Sequence, residues 1–565
     1  MSERPALSPS PTPLALWPRS VERPADAGAT LVAGIDGDRP ALVDGGGLVS
    51  PTGATWSLDW WIGGDDRWYL PAREPSVRQR RIGDGPVIET SVRVPSGDVV
   101  ATTWPVVAGG HPATVVEIHN DSPVPVALAL ALRPYPVDGR VATDHRLALS
   151  VDRRRVEVDG RPAVLLPRPP NEAGADGAAD LLERVVAGEP LSWSGPVEGP
   201  GANAVCLYPV PHATSLRVTL PGPGPRPTEA ATVDRLRPEA VPDAEAVARG
   251  WTSVIEQGGT FRFPDPGLTA LTGAARSRLI LAAPELPDRL DALEPGAGTV
   301  LEALAAGGHA GECRPAVERL AAGFPTGLPA GVVAGAEAVA GVAAAADLFG
   351  EVELAERLLA PAMQLTHLVE RSGDRVVADR ARRGLARLAI LAGQRAAARH
   401  LRPEGPAPAA APDLEGVLAM VEQAAPAGRW NATAETADGA ARSVDGAVPA
   451  ASFWLAARRL LVDEADGDVA VRLLPVFPTA WLGGGVEVHR APAAGVRVSF
   501  AIRWHGYRPA LLWEVEGARG AVGGIRLTAP GLDPDWSTDE PRGEALLSGS
   551  AVELPGAPGP GDSFL

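Results

Sequence analysis

The pattern of apolar positions changes period twice along this 565-residue chain. From residue 26 to 240 the apolar runs are short and alternate as strands do, whereas from 266 to 467 apolar residues recur at helical spacing. Strand-type alternation returns from 468 to 530. Because strands and helices occupy separate blocks, the pattern predicts segregated α and β domains and not a doubly wound sheet.

Proline- and glycine-rich stretches set the expected domain limits. We predict a disordered leader at 1–25, a large β-sandwich domain at 26–240, a linker with a helix at 241–265, a helical domain of eight or nine helices at 266–467, a C-terminal β-domain at 468–530 and a Pro/Gly-rich tail at 531–565.

Individual segments sharpen this picture. Val126–Arg133 alternates large and small apolar side chains, which predicts a strand buried on both faces. Arg497–Glu516 is typical of two strands joined by a turn. In Val377–Leu401 one helical face collects three arginines, namely Arg380, Arg383 and Arg387.

One segment has the hydropathy of a membrane span. Leu328–Phe349 consists mostly of alanine, glycine and valine, but Glu337 and Asp347 lie within it. A buried helix of a soluble protein is therefore the favoured interpretation. Met1–Pro5 is followed by no apolar run of the signal-peptide type, so we expect a cytoplasmic protein without membrane contact.

Composition excludes several classes of chemistry. All 52 basic residues are arginine, which rules out lysine Schiff bases and the lysine of P-loop sites. The net charge of −17 opposes nucleic-acid binding. Two cysteines, Cys206 and Cys313, support neither a disulfide framework nor zinc, and none of the nine histidines has metal-site spacing. We therefore expect no cofactor and no metal.

Short stretches near both ends resemble known carbohydrate-active proteins. The C-terminal ones resemble the β-region of six-hairpin glycosidase-like proteins: Val471–Pro478, Trp481–Val488, Val498–Gly506 and Arg508–Glu514. The N-terminal ones resemble the β-supersandwich before the helical toroid of glucoamylase-like and glycogen-debranching-like proteins: Trp56–Trp61, Asp65–Trp68 and Gly97–Val100. The resemblance implies a β-supersandwich, a reduced α/α toroid-like domain and a C-terminal β-domain. It also implies an α-glucan or related oligosaccharide as substrate or ligand.

The helical block departs from that family layout. It offers fewer residues than twelve toroid helices need, and its only aromatic residues between Leu268 and Arg429 are Phe324 and Phe349. Sugar sites commonly stack pyranose faces on tryptophan or tyrosine. We therefore expect weak or absent hydrolysis, with any binding on the β-domains.

Glycoside hydrolysis needs two carboxyl groups, one of which gives a proton to the leaving oxygen. Glu294 and Glu435 are the catalytic candidates, and Glu435 has Trp430 nearby in sequence. The alternative is that both are solvated loop acids.

The ligand-binding candidates form one aromatic and acidic cluster near the N-terminus: Trp56, Asp59, Trp60, Trp61, Asp65 and Trp68. Indoles and carboxylates together can stack on a sugar and hydrogen-bond its hydroxyls. The alternative is that the rings pack in the sandwich core. Three hypotheses stay open: a glycoside hydrolase, a non-catalytic saccharide- or protein-binding relative, and an assembly module.

Overall fold

The computed structural model describes residues 29–35, 41–137, 144–222, 234–323, 328, 331–402, 414–423, 431–435, 441–464, 470–506, 508–517 and 525–549. Its chain divides into two compact units. The first comprises residues 1–250 and 425–445, and the second comprises 251–424 and 446–565. The predicted leader at 1–25 lies outside the described residues, as do 550–565 at the other end of the chain.

The first unit contains two large antiparallel sheets. One is built from β1 Thr30–Val32, β2 Ala41–Val43, β3 Val49–Pro51, β4 Ser57–Gly63, β5 Trp68–Tyr69, β10 Val126–Arg133, β14 Glu172–Asp176 and β16 Asn203–Val210. The other is built from β6 Arg78–Arg81, β7 Ile88–Val94, β8 Gly97–Ala108, β9 His111–Asn120, β11 His145–Leu149, β12 Arg155–Val158, β13 Arg161–Leu165, β15 Val197–Gly199 and β17 Ser215–Pro221. One apolar core joins the inner faces of both sheets, which confirms the sandwich prediction.

Strand β10 shows how the alternation works. It pairs with β4 on one side and β16 on the other. Its leucines, such as Leu128 and Leu130, enter the core between the sheets. The intervening Ala129 and Ala131 pack instead beneath helix α1, Leu181–Val186. The small side chains leave room for a helix on the outer face, so both faces are buried as predicted.

The second sheet is also covered on its outer face. Trp104 and Val115 pack there with Leu236 and Val241, and the indole Nε1–H of Trp104 donates to the Pro242 carbonyl at 3.0 Å. Helix α2, Ala244–Glu256, follows at the position predicted for the linker helix, and the division between the two units falls within it.

The second unit begins with helices. Between residues 266 and 459, the described part of the chain contains ten: α3 Pro266–Ala282, α4 Leu286–Asp291, α5 Ala297–Ala306, α6 Ala310–Ala322, α7 Val332–Phe349, α8 Val352–Glu370, α9 Arg375–Leu391, α10 Arg395–Leu401, α11 Leu414–Gln423 and α12 Ala447–Arg459. Alternate helices pack side by side, α5 on α7 and α7 on α9, while α12 packs on α3 and α5.

Two β-sheets complete the second unit. One is β18 Thr260–Arg262, β23 Val486–Ala493, β24 Val496–His505, β25 Arg508–Glu516 and β28 Arg542–Leu546. The other is β21 Val462–Glu464, β22 Ala470–Leu473, β26 Arg526–Ala529 and β27 Asp533–Thr538. The pairing of β24 with β25 confirms the strand–turn–strand prediction for Arg497–Glu516. The order of β, α and β blocks is therefore as predicted.

Three details differ from the sequence prediction. The described part of the helical block contains ten helices, whereas eight or nine were predicted. The hairpin β19 Asn431–Glu435 and β20 Ala441–Asp445 interrupts the helical block and belongs to the first unit. Strands β27 and β28 lie within the predicted tail. They form there because they pair with β26 and β25, despite the many prolines and glycines nearby.

Candidate functional site

The tryptophan cluster of the first unit is mostly buried. Trp56, Trp60 and Trp61 are 8%, 1% and 0% exposed. Trp56 and Trp60 belong to the core between the sheets, and Trp61 belongs to the outer cluster under α1. Their ring faces are covered by protein, so these three indoles pack in the core instead of stacking on a sugar.

Asp59 holds this packing in place. Its carboxylate is 2% exposed and accepts hydrogen bonds from the Trp60 backbone N–H at 3.0 Å and the Trp61 Nε1–H at 3.1 Å. Arg133 lies 5.4 Å from the Trp61 ring centroid and donates to both oxygens of Asp180, at 3.0 and 2.8 Å. Burial opposes the charge of Arg133, but Tyr135 and the Asp180 carboxylate raise its pKa. The binding role expected of Asp59 is thereby replaced by a structural one.

The loop residues of the cluster are more accessible. Asp65 is exposed and Trp68 is half-buried. Tyr69 donates its hydroxyl hydrogen bond to Asp66 at 2.8 Å, and desolvation together with that carboxylate raises the pKa of Tyr69. Saccharide contact remains a prediction only for Asp65 and Trp68.

The two catalytic candidates belong to different units. Glu294 is exposed between α4 and α5, where Arg289 Nε donates to it at 2.8 Å. Glu435 closes strand β19, and its neighbour Trp430 lies outside the described residues. Neither is among the described residues that line the cavity of the second unit.

That cavity has a volume of about 1380 Å³. Helices α5, α7, α9 and α12 surround it together with residues of the C-terminal strands. Helix α7 contributes a wall of small side chains, including Ala336, Ala340 and Ala343. The cavity exceeds the volume of typical ligand pockets, roughly 300–1,000 Å³.

Ion pairs fill one side of the cavity. The Arg387 guanidinium lies 2.5 Å from Asp347 Oδ2 and 3.1 Å from Glu464 Oε2. Asp347 also accepts the Gly495 backbone N–H at 3.0 Å. Burial opposes the charge of Arg387, but the carboxylates of Glu464 and Asp347 raise its pKa. This cluster connects α7, α9 and the C-terminal β-region.

A second ion pair involves another arginine of helix α9. Arg380 Nη2 is 2.9 Å from Glu302 Oε2 on α5 and also donates to Thr299 Oγ1 at 3.3 Å. Glu337 approaches Arg380 at 3.6 Å and accepts the Gly296 backbone N–H at 2.7 Å. The acidic side chains on α5 and α7 are therefore already engaged by arginine.

Arg458 is the most buried of the lining arginines. It is 6% exposed, donates to the Val462 and Pro492 carbonyls, and lies 3.8 Å from Glu464. Its Nε–H has no acceptor among the described residues. Burial lowers the pKa of Arg458, and the neighbouring Arg387 and Arg459 charges lower it further against the effect of Glu464.

Aromatic surface in the cavity is limited to Phe349 among the described lining residues. The Arg314 guanidinium covers that ring at 4.3 Å from its centroid. Trp454 of α12 is fully buried: its Nε1–H donates to the Ala303 carbonyl at 3.1 Å, and its ring packs edge-on against Phe261. The expectation of a helical centre without a stacking platform therefore agrees with the described structure.

The sequence of α9 shows its arginine face but gives no sign that this face lines a cavity. The signal was the spacing of Arg380, Arg383 and Arg387 opposite an apolar face, which is also typical of a solvated helix. Their partners Asp347 and Glu464 are distant in sequence. Only the packing of α7, α9 and β21 reveals that these charges meet.

Helix α7 has the hydropathy of a membrane span. Val332–Phe349 is the one helix found that is long and apolar enough to cross a membrane, and 56% of that stretch is buried inside the protein. It packs between α5 and α9, as a core helix does. No group of histidine, cysteine, aspartate and glutamate among the described residues has the arrangement of a metal site.

Comparison with known proteins found no matching family model and no matching curated protein. Among solved structures, a bacterial glucoamylase complexed with acarbose is similar with TM-score 0.43 and 9% identity, over 67% of this chain and 65% of that chain. A family GH92 α-mannosidase of Bacteroides thetaiotaomicron has TM-score 0.27 and 10% identity, over 49% of this chain and 51% of that chain. Its complex with mannoimidazole has TM-score 0.28 and 10% identity, over 63% and 52%. The matched region thus spans slightly less than two thirds of the glucoamylase and about half of the mannosidase.

Proposed function

We propose that this protein binds a saccharide in the cavity of the second unit and does not hydrolyse it. The supporting observation is the state of the lining acids. Four of the five, namely Glu302, Asp347, Asp463 and Glu464, pair with arginine, and the fifth is the exposed Glu516.

A hydrolytic site makes different demands on its carboxyl groups. One must hold a proton for the leaving oxygen, and the other must face the anomeric carbon or a water. A carboxylate whose oxygens accept hydrogen bonds from a guanidinium has those oxygens occupied and turned away from a substrate. The lining acids are thus better suited to holding arginine side chains in place than to acid–base catalysis.

The saccharide part of the proposal comes from the sequence resemblance to glycosidase-like proteins and from the size of the cavity. It moves the expected binding surface from the N-terminal indoles, which are buried, to the helical unit. We also propose a reducing, cytoplasmic location. Cys206 and Cys313 are both buried and unpaired, as is usual for cysteines in such a compartment.

The test combines binding with a turnover assay. Isothermal titration with a neutral trisaccharide, maltotriose, and an acidic one, trigalacturonate, should give saturable binding to at least one. Ala340→Trp, which places an indole in the cavity, should abolish it. Ala360→Trp on the exposed face of α8 is the matched control and should bind as the native chain does.

Turnover is measured as reducing ends released from maltooligosaccharide, glycogen and trigalacturonate, and we expect none. Release that Glu294→Gln or Glu435→Gln abolishes would establish a hydrolase with the carboxylates first suggested by the sequence. Release insensitive to both changes would also refute the non-hydrolytic proposal. If neither trisaccharide bound, the saccharide proposal itself would be refuted.

A further inference from the structure

The described lining of the cavity has the opposite charge balance from the whole chain. The chain has 52 basic and 69 acidic residues. The lining has seven arginines, Arg380, Arg383, Arg387, Arg402, Arg458, Arg459 and Arg497, against five acids. An acidic protein has therefore concentrated positive charge around one concave surface, which favours an anionic ligand.

The side chains of two of these arginines form no ion pair or hydrogen bond within the described structure. Arg459 is exposed at the end of α12, and Arg497 is half-buried on β24. Arg497 lies opposite Glu516 in the β24–β25 register, and these two side chains form no ion pair. Both guanidiniums remain available for a ligand.

A third observation comes from Arg458. This side chain is more than nine-tenths buried, lines the cavity and leaves its Nε–H without an acceptor in the described structure. That Nε atom is itself buried, so Arg458 contributes positive charge to the cavity wall and not a free donor. Arg387 and Arg459 add like charge beside it.

Stacking offers little to a neutral sugar here. Phe349 is the one aromatic residue in the described lining, and the Arg314 guanidinium covers its ring. A saccharide in this cavity has guanidinium groups and alanine walls to contact. Arginine binds carboxylate and sulfate oxygens in a bidentate manner and binds neutral hydroxyls less strongly.

We infer that the ligand is an anionic saccharide whose carboxylate or sulfate groups are bound by Arg459 and Arg497, beside the positive charge of Arg458. This inference rests on the proposed function, because it names the class of saccharide that the same cavity takes. The paired arginines, Arg380 and Arg387, shape the wall while the other three face the ligand's charge.

The test compares matched trisaccharides on the full chain. Titrations use maltotriose, sulfated maltotriose, trigalacturonate and inorganic sulfate. We expect each anionic trisaccharide to bind at least about tenfold more tightly than maltotriose, since about 1.4 kcal/mol of extra binding energy gives tenfold and charge-assisted hydrogen bonds supply that much. Raising the salt concentration should reduce this preference.

Variants locate the effect. Arg459→Gln and Arg497→Gln should each raise the dissociation constant of the anionic trisaccharide about tenfold and leave that of maltotriose unchanged. Arg262→Gln removes the same charge from an exposed arginine outside the cavity lining and should change neither. Circular dichroism confirms that all three fold.

The outcomes separate this inference from the proposed function. Equal affinity for maltotriose and the anionic trisaccharides would overturn the inference and leave the saccharide proposal standing. Inorganic sulfate binding as tightly as sulfated maltotriose would also overturn it, because the sugar would contribute nothing. An anionic preference that persists in both cavity variants would place the binding elsewhere and refute the inference too. A preference for sulfated maltotriose over trigalacturonate, or the reverse, would identify the anionic group while supporting it.

Discussion

Trp60 illustrates at the residue scale how position decides the role of an aromatic side chain. Its ring is 1% exposed, and its Nε1–H donates to the Gly46 carbonyl at 3.3 Å. The sequence Trp56–Trp61 fixes the aromatic content of the cluster but not which face of β4 each ring occupies relative to solvent. Alternation along β4 predicts that Trp60 and Trp61 face opposite ways, whereas the covering of Trp61 by α1 depends on distant residues.

The first prediction follows from this burial. Trp60→Ala should lower the free energy of unfolding of the first unit by about 3–5 kcal/mol, since a large buried ring is lost and a cavity remains. Saccharide affinity should not change. Denaturant unfolding measures the first effect and titration the second.

Trp68→Ala is the comparison variant, because this ring is only half-buried and its removal should cost less stability. If Trp60→Ala stayed as stable as the native protein but lost saccharide binding, the core assignment would be incorrect.

His309 is a second residue whose surroundings determine its chemistry. It is 2% exposed, its Nε2 lies 3.0 Å from the Arg276 guanidinium, and its Nδ1 is 3.9 Å from Glu312. Burial, together with the Arg276 charge, lowers the pKa of His309 well below 6.5. Its neutral form accepts the Arg276 hydrogen bond, which the protonated form cannot do.

The pH dependence of stability follows from that shift. Below about pH 6.5 the unfolded chain protonates His309 and the folded protein does not, so acidification favours unfolding. We expect this residue to lower the free energy of unfolding by about 1.4 kcal/mol per pH unit below that point. Urea unfolding at a series of pH values between about 7.5 and 5 measures this slope of the unfolding free energy against pH.

His309→Gln should flatten this slope, because a glutamine oxygen can accept from Arg276 without titrating. His367→Gln removes an exposed histidine and should leave the slope unchanged. An identical slope in the native protein and His309→Gln would contradict the prediction.

At the scale of elements, the crossing of α5 and α7 depends on two glycines, which have no side chain to keep the helices apart. A Cβ built on Gly298 would lie 2.1 Å from the Glu337 carbonyl carbon, and one on Gly341 would lie 2.3 Å from the Gly298 carbonyl oxygen. The two backbones therefore touch directly. Apolar periodicity predicts both helices, but the partner of each small residue becomes apparent only in the packed structure.

This contact gives the third prediction. Gly298→Ala should destabilise the second unit by about 1–3 kcal/mol, because the backbones must move apart to admit the methyl group. Gly311→Ala is the matched control: it also occupies the second position of its helix, and its Cβ would meet nothing within 4 Å. Thermal unfolding compares the two, and equal transition temperatures would argue against close packing at this crossing.

The strands that the sequence pattern does not predict share a physical cause. Strands β27 and β28 are exposed edge strands with little apolar alternation, so pairing with β26 and β25 defines them more than composition does. The hairpin β19–β20 consists of small and polar residues and follows the same rule. By contrast, β10 and α2 have strong patterns of their own and lie where they were predicted.

At the scale of the whole molecule, the order of blocks could be predicted but not the division into units. The first unit takes residues 425–445 from near the end of the predicted helical domain, and the second combines helices with the C-terminal sheets. Block boundaries depend on local period, whereas units depend on contacts between distant segments. The cavity belongs to the latter kind of feature, since its walls come from four helices and the C-terminal strands.

The fourth prediction concerns cooperativity within the second unit. Asp347→Asn removes the charge that Arg387 pairs with and weakens the acceptor of the Gly495 N–H. We expect a loss of about 1–3 kcal/mol, as for other partly buried polar groups left without a full partner. Hydrogen exchange should accelerate in α7, in α9 and in β23–β24 together.

The comparison variant is Asp288→Asn, which weakens an ion pair between exposed side chains of α4 and α6. It should leave those segments unchanged, because exposed ion pairs contribute little. Faster exchange in α7 alone after Asp347→Asn would show that the helices and the C-terminal sheet open independently.

The cluster of Asp347, Arg387 and Glu464 also restricts how this chain can change over evolutionary time. Replacing any one member leaves a partly buried charge without its partner, while replacing the group together does not. Intermediates with a single replacement are therefore selected against. Relatives of this chain should keep all three charges or lose them jointly. The three positions should therefore covary in an alignment, although positions 347 and 464 are 117 residues apart (464 − 347).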